Sequence, residues 1–193
     1  MAVRSFLRRI CATVAIVSAL SATPSAQASA IYIRSARLEA DLKGWTLDAH
    51  FDFTLNDNLV EAVNKGIPLY FTTSFTLTRA RWYWFDEHTV SVERSVRLAY
   101  QPLTRQYRIS KGGGLQLGLP TLKEALGVIQ RINGWHVIDR SAARPGARYT
   151  ASVRMVLDTA LMPKPFQINA INDNDWKLAS DWKRFSFTPE ALD

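Results

Sequence analysis

Trp45-Thr46-Leu47-Asp48-Ala49-His50-Phe51-Asp52-Phe53 decides the architecture of this chain. Its apolar residues alternate strictly with Thr46, Asp48, His50 and Asp52. That is the period of a strand with one face on a core and the other toward water. A helix would need apolar residues three or four apart. Leu42-Lys43-Gly44 supplies a turn before it, and Ile31–Ala40 reads as the partner strand of a hairpin.

Outward from this hairpin, Asn58 followed by Glu61 has capping-box spacing for a short helix with Leu59, Ala62 and Val63 as its apolar stripe. Gly66 suits the left-handed position after its end, and Pro68 prevents resumption. A long second hairpin follows, with arms Ile67 to about Phe85 and Thr89 to Tyr100. Leu69, Phe71, Phe75 and Leu77 form the apolar set of the first arm, after which Ala80, Trp82 and Trp84 take the other parity. On the returning arm Val90, Val92, Val96, Leu98 and Tyr100 share one parity. A loop of Asp86, Glu87 and His88 pairs Trp84 with Val90 and Trp82 with Val92. Leu77 then meets Val96, and Phe75 meets Leu98, only if a β-bulge lies near Arg79–Arg81. The same hairpin brings Arg94 near Arg79, and two like charges facing each other would be an unfavourable pair. The alternative is a face switch that begins an outer aromatic patch.

Leu103–Ser110 reads as a strand and Lys111-Gly112-Gly113-Gly114 as a flexible loop. Thr121 with Glu124 caps a helix whose stripe is Leu122, Ala125, Leu126, Ile129 and Ile132, ending at Gly134. Asp139–Arg148 is a polar, basic loop. Tyr149–Leu157 alternates again, and the tail from Trp176 to Phe187 carries enough aromatic residues to dock on the core. The expected fold class is α+β and predominantly antiparallel β: sandwich-like, about six to seven strands, with two short helices. Residues 31–193 form one domain.

Residues 1–30 divide as a secretory signal peptide does. Arg4, Arg8 and Arg9 precede the uncharged run Ile10–Leu20, and small residues satisfy the A-x-A rule for cleavage after Ala28 or after Ala30. The apolar run is far shorter than the ~20 residues a membrane span requires. The protein is expected to be periplasmic or secreted and not transmembrane once processed. Cys11, the only cysteine, leaves with this segment, which excludes disulfides, thiolate nucleophiles and cysteine-ligated metals from the mature chain. The formal charge of +7 falls to +4, because three of the 24 basic residues leave too. A mild positive excess suits an anionic surface or an acidic partner. Export and the absence of a long basic run argue against nucleic acid.

No catalytic constellation is present. His50, His88 and His136 lie far apart and outside any ligand spacing, so neither a metal nor another cofactor is expected. Asn172-Asp173-Asn174-Asp175 lacks the glycine and the fifth-place oxygen of a calcium loop, since Lys177 and Leu178 stand there. Lys111–Gly114 lacks the remainder of a phosphate loop, and there is no G-x-S-x-G elbow. The segment that invites a binding role is Arg79-Ala80-Arg81-Trp82-Tyr83-Trp84-Phe85-Asp86. Its rings suit apolar or sugar faces and its guanidinium groups suit anions. The candidate binding residues are Arg79, Arg81, Trp82, Tyr83, Trp84 and Arg94. Equally, Trp82 and Trp84 could face a core while Tyr83 and Phe85 cover the other side of a sheet.

Val63-Asn64-Lys65-Gly66-Ile67-Pro68-Leu69-Tyr70-Phe71, Arg81-Trp82-Tyr83-Trp84-Phe85-Asp86-Glu87 and Leu103-Thr104-Arg105-Gln106-Tyr107 together resemble an exported proteobacterial family called domain of unknown function 4390. The likeness extends to Leu119-Pro120-Thr121-Leu122 and the tail with Trp176 and Trp182. It implies no activity, substrate or catalytic residue. It does imply a setting beside a sensor kinase and its response regulator. The expected function is therefore a non-enzymatic binding or accessory domain acting through contact with an envelope protein, such as a sensor kinase. A carrier of an amphipathic ligand, a lipid or cell-wall fragment, is the alternative; it would be supported by a closed aromatic cavity between the helix Leu122–Ile132 and the sheet. A hydrolase comes last and would need a cleft where a histidine and a carboxylate converge.

Overall fold

A computed structural model describes residues 30–79, 87–112, 114, 116–167 and 173–190. Residues 1–29, which include nearly all of the expected signal peptide, and Arg81, Trp82, Tyr83 and Trp84 lie outside these residues. The fold is mostly antiparallel: nine strands in two sheets, with two helices of eight residues each. In chain order the elements are β1 (Tyr32–Asp41), β2 (Gly44–Asp52), α1 (Asp57–Asn64), β3 (Leu69–Arg79), β4 (Glu87–Gln101), β5 (Gln106–Lys111), β6 (Gln116–Leu119), α2 (Leu122–Ile129), β7 (Arg131–Asp139), β8 (Tyr149–Leu157) and β9 (Lys183–Phe187). One sheet runs β1-β2-β7 and the other β6-β5-β4-β3-β8-β9.

The alternating row of β2 is the inner face of the small sheet: Trp45, Leu47, Ala49, Phe51 and Phe53 are all buried. Facing it, Leu69, Phe71, Phe75 and Leu77 of β3, with Leu98 of β4, are wholly inaccessible. Phe53 stacks on Phe71 with ring centroids 5.3 Å apart, and Trp45 meets Phe187 of β9 edge-on at 5.6 Å. The tail docks on the core as its aromatic content predicts. Chain ends are tied together as well: Ile31 N–H donates to the Ala179 carbonyl, and Lys183 Nζ donates to the Ile33 and Arg34 carbonyls.

Several expectations change. The first helix is capped by Asn56, not Asn58: Asn56 Oδ1 accepts from Leu59 N–H at 2.9 Å. Asn58 instead donates from Nδ2 to the Asp175 carboxylate, and Asn56 Nδ2 donates to the Asp175 carbonyl. The acidic run near Asp173 is thus a clasp that ties the tail to α1. At the other end Gly66 adopts φ 85°, while Ile67 N–H returns to Ala62 O and Gly66 N–H to Val63 O. This pattern satisfies carbonyls the helix leaves unpaired.

The long hairpin keeps its apolar face but in another register. Leu69 opposes Leu98, Phe71 opposes Val96, Phe75 opposes Val92 and Leu77 opposes Val90. The pairing of Leu77 with Val96 and Phe75 with Leu98 is overturned. An even slide along a strand leaves every side chain on its own face, so alternation alone does not separate these registers. Polar pairs favour the observed one. Thr72 and Ser95 share a hydrogen bond at 2.8 Å, Ser74 donates to Glu93 at 2.8 Å, and Arg79 stands opposite Glu87. The irregularity falls between Leu77 and Thr78, and the extra residue, Thr89, is on β4 rather than near Arg79–Arg81.

The second helix stops at Ile129, and Ile132 belongs to β7. Gly134, expected as a helix stop, sits in a bulge of that strand at φ 58°. There Asn133 and Gly134 oppose the single residue Asp48, whose Oδ1 accepts from Gly134 N–H at 2.7 Å. A second irregularity inserts Val137, which lets both Val137 and Ile138 be buried.

Two substitutions test this framework by chemical denaturation. Phe71→Ala should cost about 3–5 kcal/mol, because the two-sheet core cannot collapse around the missing ring. Asn56→Ala should cost about 1 kcal/mol or more through the lost cap, with Asn58→Ala milder.

Candidate functional site

The large sheet is unevenly covered along β4. Its pairing with β5 runs only from Val96 to Gln101, whereas its pairing with β3 runs from Glu87 to Leu98. Among the described residues, no strand lies on the outer side of Glu87–Ser95. This half of β4 presents an open edge, with alternate backbone donors and acceptors directed away from β3. Val90 and Val92, on the core-facing row, are only partly buried here, whereas Leu98 further along is completely so.

Of the residues singled out from the sequence, Arg79 ends β3 and Arg94 lies near the end of this open edge, two residues before the pairing with β5 begins. The register does not bring them together. Arg94 opposes Thr73, six positions from Arg79 and therefore about 20 Å along the strand. Arg94 occupies the core-facing row between Val92 and Val96 and is half-buried. Its side chain has no ion-pair or hydrogen-bond partner among the described residues. Burial accordingly pushes its guanidinium below the ordinary arginine range.

The neighbouring strand brings a second cation. Lys111, opposite Val96, belongs to the same face of the sheet. Burial and then the nearby Arg94 charge lower its ammonium from the ordinary lysine range. Lys111 also lines an open cleft of about 550 Å³ together with Leu119, Glu124, Val128, Arg131 and Asn133. Sequence reading placed Lys111 in a flexible loop and missed Arg131 and Asn133. They sit at the start of β7, which had no strand signal of its own. Glu124, the acid of this cleft, accepts a 3.0 Å hydrogen bond from the Thr121 hydroxyl. The space beside α2 is thus open and mixed in character, rather than a closed aromatic cavity.

A smaller cleft of about 180 Å³ on the small sheet contains Ser35, Arg37, Asp48 and His50, and shares Arg131 and Asn133 with the first. A histidine and a carboxylate converge here, but the Asp48 oxygens are taken by Arg37 (3.2 Å) and by Gly134 N–H. Asp48 is a strut for the bulge and does not orient His50. His136 bonds to Asp139 at 2.8 Å. Among the described residues, no group of three or more histidine, cysteine or acidic side chains could hold a metal ion. No helix of the described residues is long and apolar enough to cross a membrane.

An unpartnered, half-buried arginine is a stability cost unless an anion or partner meets it. Arg94→Met should therefore raise Tm by about 2 °C, as replacements at functional positions often do. Thermal unfolding measured by circular dichroism reads this directly, and a fall in Tm would mean that Arg94 has a structural role.

Among known proteins, no curated protein and no solved structure matches the chain. A family described as a domain of unknown function (DUF4390) matches residues 28–186. The match takes in every strand and both helices up to the penultimate residue of β9, and on this evidence the chain belongs to the DUF4390 family.

Proposed function

We propose that this protein is an exported, non-enzymatic binding or accessory domain of the cell envelope that works through protein contact. Its contact surface is the open edge of β4 with the adjoining Arg79–Phe85 segment. The observation that carries this proposal is the one-sided pairing of Glu87–Ser95, which lacks a second neighbouring strand among the described residues. Exposed edges are templates for an added strand: the main chain supplies affinity, and alternate side chains supply selectivity. Val90, Val92 and Arg94 would select on one face, and Ser91 and Glu93 on the other. An extended segment with apolar residues at every second place and an acid opposite Arg94 is the matching ligand. The periplasmic region of an envelope protein, a sensor kinase included, is where such a segment would be met.

The proposal is tested by placing a photoreactive residue at Ser91, with Glu61 on the exposed face of α1 as control, and crosslinking in intact cells. The expected result is one defined protein adduct at position 91 and none at position 61. Val92→Lys, which sets a charge on the docking row, should abolish that adduct while leaving the circular dichroism spectrum unchanged. An adduct that persists in Val92→Lys, or equal labelling at both positions, would remove the edge from consideration as the contact surface.

A further inference from the structure

Beyond the strand edge, we infer that the cleft between α2, β5 and β7 is a binding site for a phosphate-type oxyanion, with Lys111 and Arg131 as its ligands and Asn133 as a neutral donor. All three line the same open space. Neither cation has a carboxylate partner among the described residues. Glu124, which shares the cleft, is turned onto the Thr121 hydroxyl of its own helix cap.

The site is assembled by the fold rather than by a motif. Lys111 ends β5, the chain then runs through β6 and α2, and Arg131 begins β7 immediately after α2. That excursion brings a guanidinium to the cleft that the ammonium at the strand's end also lines. The like charge of Arg94 lies near Lys111 on the same face of the large sheet. Two cations held close together, with a third on the adjoining cleft wall, repel one another unless an anion lies among them. A phosphate group matches the set better than a single carboxylate. It carries up to two charges, and its oxygens can accept a two-pronged contact from arginine and a point-charge contact from lysine at once.

The opposite wall is apolar, formed by Leu119 and Val128. The cleft would therefore take either free phosphate or the phosphate head of an amphiphile. Arg131 and Asn133 also line the adjacent smaller cleft, where His50 stands opposite Arg131 in the β2–β7 register. A ligand longer than one phosphate could extend in that direction.

The experiment is an amide chemical-shift titration of the processed chain at about 0.15 M salt, where charges more than ~8 Å apart are largely screened. Inorganic phosphate is added in one arm and monomeric dihexanoyl phosphatidic acid in the other. Saturable shifts centred on Lys111, Arg131 and Asn133 are expected. Lys111→Gln and Arg131→Gln should each weaken binding about tenfold, the effect of losing one charge-assisted hydrogen bond. Arg108→Gln, on the other face of β5, should leave binding unchanged, and melting curves of all three variants check the fold. Equal affinity in the two arms assigns free phosphate. Tighter binding of the lipid, with shifts spreading to Leu119 and Val128, assigns an amphiphile head group. Shifts scattered over surface lysines and arginines, no saturation in either arm, or binding indifferent to both variants would overturn the site. Because Val92→Lys leaves this cleft intact, failure of the edge contact and failure of the anion site are read separately.

Discussion

Everything in this fold depends on the inner row of β2 packing against the inner row of β3. Leu47 and Phe51 on one side, and Phe71, Phe75 and Leu77 on the other, have no solvent exposure. A three-stranded sheet has no independent means of hiding such a row, and the six-stranded sheet is equally apolar on its facing side. Each sheet is the other's cover. The helices play a lesser part: α1 and α2 carry the chain from one sheet to the other, burying Leu59, Val63, Ala125 and Ile129 as they cross.

The two sheets differ in width, and that difference produces the candidate surfaces. Three strands cannot roof six. Where the roof ends, the core-facing row of β4 passes from fully buried Leu98 to partly buried Val92 and Val90, with Arg94 among them. The same margin holds Lys111 and, across the cleft, Arg131. Arg94 and Lys111 sit on a nominally interior face because that face is interior over only part of its length, whereas Arg131 lies on the outer face of the small sheet opposite His50. Burial there is deep enough to perturb a cation and too shallow to require its neutralisation by the protein itself.

What was legible in the sequence was local. The alternation of Trp45–Phe53, the stripe of α1, the left-handed Gly66 and the docking of the aromatic tail all follow from residues close together in the chain. The register of the long hairpin was not legible, because sliding it by an even number keeps Phe75, Leu77, Val92 and Val96 on the proper face. Nor was β7: its Asn133-Gly134 step resembles a helix stop followed by a turn, and two bulges break its period. Asn58 has a glutamate at capping-box spacing, yet its amide serves the tail and Asn56 is the cap. For the candidate site, Arg94 was singled out for its supposed neighbour Arg79, and it matters for a different reason. Lys111 and Arg131 carry no mutual signal in sequence, since only the crossing of α2 makes them neighbours.

The tie between the chain's two ends bears on how the molecule can be made. Lys183 reaches the Arg34 carbonyl across 149 residues of sequence, and β9 completes the edge of a sheet whose other strands are synthesised earlier. Loop-closure entropy sets the time at which such contacts form, and long-range antiparallel pairing forms late. A chain emerging amino end first can form the β1–β2 hairpin early, but Ile31 finds its place against Ala179 only after all the strands through β8 are present. The anchoring of β1 is thereby timed by the segment from Ala179 to β9: until it arrives, the start of the first strand lacks its long-range partners.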